Sequence, residues 1–315
     1  MSVGWWIVII FLGLFLLPTM VISFIIYHTL LVRNKKEKWA RSASMPEDEE
    51  YVRLYQQAAA WGKQYAACKR DVAIENDGLH LAGEYFDFGG ENAVIIIPGR
   101  MESCRYSYHY SEPYRKAGWN ILAIDTRAHG DSDGKINSLG YKEYRDILAW
   151  ARLLHEELGN KLVVLHGICI GSSTALFAAT AADCPDYVAG LTVDGMYTRF
   201  YDSCKQHMIL DHRPLFPFLW ETMLYIRLVS GADVIWDGPY KRIRKLKKPI
   251  LFIHSREDQF SLPAKAQTMF DQCPARQKTL AWFPHGGHSR VRINNPELYD
   301  QTVCKFLAST DFINP

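Results

Sequence analysis

The chain has 315 residues, 48% hydrophobic and 22% charged, values that exclude wholesale disorder, a collagen-like fibre and a many-spanning membrane protein. Its 36 basic and 34 acidic side chains leave a formal charge of +2, which gives no long-range field directed at nucleic acid, and no nucleic-acid partner is expected. Seven cysteines, widely spaced and without a C-x-x-C pair, predict free thiols in a reducing compartment.

The charges are segregated. Residues 1–32 hold no Asp, Glu, Lys or Arg, and from Trp5 to Val32 the chain is almost continuously apolar for 28 residues. A helix needs roughly 20 residues to cross about 30 Å of hydrocarbon. Trp5, Trp6, Tyr27 and His28 suit the headgroup layers, and Pro18 suits a kink. The segment from Arg33 to Arg41 follows with five positive charges against one negative, so the positive-inside bias keeps this flank and the bulk of the chain in the cytoplasm. A cleaved signal peptide needs a basic start and a shorter apolar core ending in an A-x-A-like site, which this segment lacks. Residues 1–32 therefore read as a transmembrane anchor. Residues 33–67 read as a basic flank and a linking helix, starting at Ser44-Met45-Pro46 and an acidic first turn, with Tyr51, Leu54, Tyr55, Ala58, Trp61 and Tyr65 on one face.

From residue 68 to 310, β-rich runs alternate with helical patterns. A hairpin is expected from Val72–Ile74 and Leu79–Phe86 through Asn76-Asp77-Gly78. Strands then follow at 93–97, 119–124, 162–165, 189–193, 250–253 and 279–282, with helices at about 107–117, 141–158, 170–182, 263–272 and 295–309. This order predicts an α/β fold with a mostly parallel sheet covered on both faces. An insertion at about 196–245, rich in Pro and large apolar residues, reads as a cap over the sheet that lines an apolar pocket. Arg100, Glu102, Tyr106 and His109 are further candidates for that lining.

In such sheets ligands bind beyond the carboxyl ends of the strands. After the 162–165 run stands Gly167-Ile168-Cys169-Ile170-Gly171, a G-x-S-x-G nucleophile elbow with Cys in place of Ser, where a helix N-terminus favours a thiolate. Ser172 and Ser173, inside the helix, are not substitutes. After 93–97 the Pro98-Gly99-Arg100-Met101 turn offers the N–H of Arg100 or Met101 as an oxyanion donor, with the N–H of Ile170 as the second. Asp258 follows the next-to-last strand and His288 the last, which gives the order nucleophile, acid, base. His285 competes for the base and Asp194 for the acid. Eleven histidines show no H-E-x-x-H spacing, so neither a metal nor a cofactor is expected. The basic run 241–248 reads as a solvated helix end or as a contact for anionic lipid.

The segment Asp125-Thr126-Arg127-Ala128-His129-Gly130-Asp131-Ser132 resembles the D-x-R-G-H-G-x-S loop of α/β-hydrolases. Together with Pro98–Ser103, Gly167–Gly171, Asp258 and His288 it makes residues 68–310 resemble the lysophospholipase and serine-aminopeptidase branch of that superfamily. Two departures are Cys169 for the usual serine, as in dienelactone-hydrolase-like members, and Ala128 for a glycine. Joined to the anchor read from residues 1–32, the resemblance implies a membrane-tethered hydrolase of acyl esters, a lipophilic ester, lysophospholipid or thioester, acting through Cys169, His288 and Asp258 and an S-acyl intermediate. Acyl transfer, aminopeptidase-like activity on the same residues, or a non-catalytic binding module on the same fold are the alternatives.

Overall fold

The computed structural model describes residues 3–43, 45 and 47–312, the side chains of residues 3 and 7–12 excepted. The first element, α1 (Val3–Leu31), runs unbroken through Pro18. Among the described residues it is the one helix long and apolar enough to cross a membrane, over Gly13–Leu31. The linking helix α2 (Glu49–Gln64) begins one turn later than Ser44-Met45-Pro46 suggests: Asp48 caps it, its carboxylate accepting from the Tyr51 N–H at 2.9 Å. Ser44 and Pro46 lie outside the described residues. Tyr51, Leu54, Ala58 and Trp61 of α2 are buried on the domain.

Beyond α2 come β1 (Lys69–Asn76), β2 (Leu79–Phe86) and β3 (Ala93–Ile97), then two short helices, α3 (Cys104–Ser107) and α4 (Glu112–Lys116), in place of the single helix expected there. Next are β4 (Asn120–Ile124), α5 (Glu143–Arg152), β5 (Val163–Ile168), α6 (Ile170–Ala179) and β6 (Val188–Asp194). The insertion supplies α7 (Phe200–Leu210), α8 (Phe218–Ser230) and the short α9 (Pro239–Arg242). The chain ends with β7 (Ile250–Ser255), α10 (Pro263–Gln272), β8 (Lys278–Phe283), α11 (Val291–Asn294) and α12 (Pro296–Ser309). Asp77 and Gly78, both at positive φ, make the predicted tight hairpin between β1 and β2.

The eight strands lie in one sheet, ordered β1-β2-β4-β3-β5-β6-β7-β8. The β1–β2 and β2–β4 pairs are antiparallel and the rest parallel. Both faces are covered: along β3, Ile95 and Ile97 enter one core layer while Val94 and Ile96 enter the other, the two-residue period of a strand buried on both sides. The carboxyl ends of β3, β5, β6, β7 and β8 therefore converge on one edge of the sheet, beneath α7 and α8.

α1 does not stand apart from this domain. Tyr27 and Leu31 are buried with Leu219, Met223 and Ile226 of α8. Between the two helices Glu221 accepts from the Thr19 hydroxyl at 2.9 Å and the Ser23 hydroxyl at 2.7 Å. Lys38 of the basic flank folds back to cap α1, its Nζ donating to the carbonyls of Thr29 and Val32 at 2.8 and 2.6 Å. Arg41 pairs with buried Asp125 at 2.7 Å. The flank is thus partly structural, and Lys35 and Lys36 are its exposed cations.

Candidate active site

Cys169 sits between β5 and α6 at φ 53° and ψ −114°, a backbone conformation that a residue with a Cβ rarely adopts. The two flanking glycines are what the turn demands. A Cβ on Gly167 would lie 2.2 Å from the Gly171 carbonyl oxygen, and one on Gly171 would lie 2.1 Å from that of Ile97. The turn lifts the half-buried Cys169 side chain to the N-terminus of α6. Ser172 and Ser173 are fully buried, bonded to the carbonyls of Gly167 and Ile170 at 2.7 and 2.8 Å.

His288 reaches this turn from the loop after β8. One side of its ring contacts the Cys169 thiol, and its Nδ1 lies 2.8 Å from Asp258 Oδ2. The other Asp258 oxygen accepts from the backbone N–H groups of Phe260 and Ser261 at 2.9 and 2.8 Å. Burial opposes charge on both groups. For Asp258 the neighbouring His288 and these hydrogen bonds win and hold its carboxyl below the usual range. For His288, Cys169 and then Asp258 outweigh burial and hold the ring well above its ordinary value. The glycine pair before His288 suggests an open loop tip, yet the ring is turned inward and only 15% exposed. His285 is the outward-facing one, 72% exposed beside Glu257.

Asp194 is the last residue of β6 and wholly buried. It accepts from the Tyr299 hydroxyl at 3.0 Å, its Oδ1 has no hydrogen-bond partner among the described residues, and burial pushes its carboxyl up to about 7. Its neighbour Gly195 backs onto the His288 ring: a Cβ there would be 3.2 Å from Nδ1.

The loop after β3 completes the turn around Cys169. Gly99, Arg100 and Met101 line the same cavity as Cys169, and Ile170, as the first residue of α6, has an N–H without a helical acceptor. The Arg100 carbonyl is held by His129 Nε2 at 2.7 Å, and Trp39 stacks on that imidazole at 4.6 Å. Ala128, where the resembling loop has glycine, adopts φ 67°. That left-handed backbone is the physical reason a glycine is usual there.

The cavity above Cys169 and His288 measures about 660 Å³. Its apolar wall comes from Phe200, Met208, Leu219 and Met223 of the cap and, unforeseen from sequence, from Ile26 and Leu30 of α1. Arg100, Glu102 and Tyr106 line it, while His109 lies behind, fully buried edge-on to Tyr110. The linking helix contributes Tyr51, whose hydroxyl donates to Glu102 at 2.7 Å. Among the described residues no cluster of side chains suits a metal ion. A set of three hydroxyl-bearing residues, Thr19, Ser23 and Tyr27, recurring every fourth position in an otherwise apolar helix, was the available signal that α1 meets another helix.

A family model described as alpha/beta hydrolase fold matches residues 92–225. The chain is similar to the uncharacterized protein YqkD of Bacillus subtilis, 29% identical over 69% of this chain and 71% of the relative. It is also similar to the uncharacterized membrane protein YNL320W of Saccharomyces cerevisiae, 21% identical over 74% of this chain and 78% of that one. Among solved structures, the Pyrococcus furiosus esterase Pf2001 superposes with a TM-score of 0.66 at 24% identity, covering 78% of this chain and 93% of the esterase. The chain has the α/β-hydrolase fold.

Proposed function

We propose that this chain is a membrane-tethered hydrolase of lipophilic acyl esters, with its hydrolase domain on the cytoplasmic side and Cys169, His288 and Asp258 as nucleophile, base and acid. The observation that carries the reading is one line of contacts: a thiol on a strained strand-to-helix turn, an imidazole against it, and a buried carboxylate on the far ring nitrogen, all facing a largely apolar cavity. The resemblance to lysophospholipases and the similarity to an esterase and to a yeast membrane protein support it.

In this reading His288 takes the Cys169 proton and the thiolate attacks the ester carbonyl carbon. The oxyanion that forms is met by the N–H of Ile170 and that of Arg100 or Met101, each such donor being worth about 3 kcal/mol of transition-state stabilisation. Collapse breaks the bond to the alcohol, which leaves with the proton from His288, and a thioester remains on Cys169. Water, deprotonated by His288, then attacks the thioester and releases the acid and the thiol. Asp258 holds the His288 ring and balances its charge.

The charges in the cavity favour esters over the aminopeptidase alternative. A free amine would need an unpaired carboxylate, whereas Asp48 is bound by Arg290 at 2.6 Å, Asp211 by Arg213 at 3.2 Å and Glu102 by Tyr51. The test is to incubate the full chain in detergent micelles with activated esters of short and long acyl chains, followed by intact mass and peptide mapping. Mapping is essential because Cys204 also lines the cavity. An acyl increment on Cys169, lost in Cys169→Ala, is expected. Unchanged turnover in Cys169→Ala overturns the nucleophile, and no adduct or turnover at any chain length favours a binding module.

A further inference from the structure

The cap turns an apolar row to the outside. Leu219, Met223 and Ile226 of α8 are buried, and Glu221 and Tyr225 meet α1, which leaves Trp220, Leu224 and Leu228 pointing away. These three recur every fourth residue along one line of the helix, exposed by 46, 46 and 70%, and Phe216, two residues before the helix, is 73% exposed. A contiguous row of large apolar side chains in water marks an interaction surface. This one is continuous with a surface that already calls for lipid: Tyr225 packs on Phe24 and Tyr27 with ring centroids 5.5 and 6.4 Å apart, and across that seam Met20, Val21, Phe24 and Ile25 of α1 are exposed as well.

We propose that α8 lies in the boundary between headgroups and acyl chains of the cytoplasmic leaflet, beside α1. There the Phe216–Leu228 row contacts lipid tails, and the cavity receives a single-chain amphiphilic ester sideways from that leaflet. The substrate route rests on the hydrolase reading above; the seating of α8 does not.

Depth arithmetic supports the seating. With Trp5 and Trp6 in the distal headgroup layer, about 30 Å of hydrocarbon accommodates roughly 20 residues at 1.5 Å each and ends near residue 25. α8 meets α1 between Thr19 and Tyr27, which runs from about 9 Å inside that edge to just beyond it. Glu221 faces the two α1 hydroxyls at that level and not the tails. Two exposed cations lie near the row and within reach of headgroup phosphates: Arg213, three residues before it, and Arg227, beside Leu228 within it, have side chains 66 and 61% exposed, each next to an aspartate. The same two helices wall the cavity, α1 through Ile26 and Leu30 and α8 through Leu219 and Met223, so lipid stands one helix layer from Cys169.

The competing occupant of the row is a second copy of the chain, and one experiment separates them. The full chain is placed in nanodiscs of phosphatidylcholine and phosphatidylglycerol with photoreactive benzoylphenylalanine in place of Leu228. As a control the probe replaces Glu91, whose side chain is 71% exposed just before β3 at the amino end of the strands. Lipid adducts at 228 and none at 91 are expected. Cross-links from 228 to another copy, or equal lipid labelling at both positions, overturn the proposal.

For the route, Leu224→Asp and Leu228→Asp should leave turnover of a soluble short-chain ester within about twofold while raising KM for a vesicle-embedded long-chain ester at least tenfold. Equal losses on both substrates, or none on the embedded ester, overturn it. Lipid adducts at 228 in a chain that turns over no ester uphold the seating and overturn the hydrolase reading, whereas ester turnover without lipid adducts does the reverse.

Discussion

Arg100 Nη1 donates to the Leu30 carbonyl at 3.2 Å, so the loop that follows β3 is fastened to the last turn of the apolar helix. The backbone of the same arginine offers one of the two candidate oxyanion donors. Removing residues 1–32 therefore does more than delete the proposed anchor: it strips Ile26 and Leu30 from the cavity wall and leaves the buried faces of Leu219, Met223 and Ile226 open. The truncated chain is expected to melt several degrees below the full chain in the same detergent and to lose at least tenfold in kcat/KM for a soluble ester. Equal melting and equal turnover would show that α1 is a tether alone.

The Asp258 carboxylate and the Cys169 side chain both raise His288, which sets a pH signature. Asp258→Asn removes one of these influences, so the limb of the kcat/KM profile set by the titration of His288 should move to lower pH, with kcat falling roughly 10²–10⁴-fold. Stability follows the same signs. A lowered Asp258 stabilises the fold above the ordinary carboxylate range and that contribution disappears as pH falls through its folded value; a raised His288 contributes below its ordinary value and is lost as pH rises through its folded one. An unshifted limb in Asp258→Asn argues for a different partner on His288.

Asp194 carries the opposite sign. Its folded carboxyl titrates near 7 because it is buried, whereas an unfolded one titrates near 4, so between those values ionisation favours the unfolded chain and stability declines as pH rises. Asp194→Asn should match the parent in melting temperature near pH 4 and exceed it progressively up to pH 8. A difference that shrinks with pH would contradict the uncompensated burial of Oδ1.

At the elbow, Gly167→Ala and Gly171→Ala each force a Cβ onto a backbone oxygen in a region with little room to shift, at a cost of about 2–4 kcal/mol, together with loss of acylation. Gly287→Ala meets nothing within 4 Å and should change stability by less than about 0.5 kcal/mol. Urea denaturation of the three variants measures the contrast.

Most of the frame was legible because the signals are local. The runs Ala93–Ile97 and Leu79–Phe86 have the observed bounds: branched side chains of the first are buried on both faces, and the second starts directly after the Asn76-Asp77-Gly78 turn. The order of Cys169, Asp258 and His288 was legible from turns at strand ends. What escaped depends on long-range packing. Glu221 lies about 200 residues from Thr19 and Ser23, so the hydroxyls recurring along α1 mark a face that meets another helix without telling which helix it is. The inward turn of His288 likewise depends on Asp258 and on Gly286, whose φ of 101° bends the loop back.

The helix–cap seam also bears on synthesis. α1 leaves the ribosome before the cap, and the α8 residues that bury Tyr27 and Leu31 follow nearly two hundred positions later. For all that interval its apolar surface has no protein partner, and nascent chains with such surfaces aggregate unless something else covers them. With α1 as the proposed membrane anchor, a bilayer does so, which places insertion before domain closure. On that reading the hydrolase domain closes last at this seam, with α8 docking onto a helix already in the membrane.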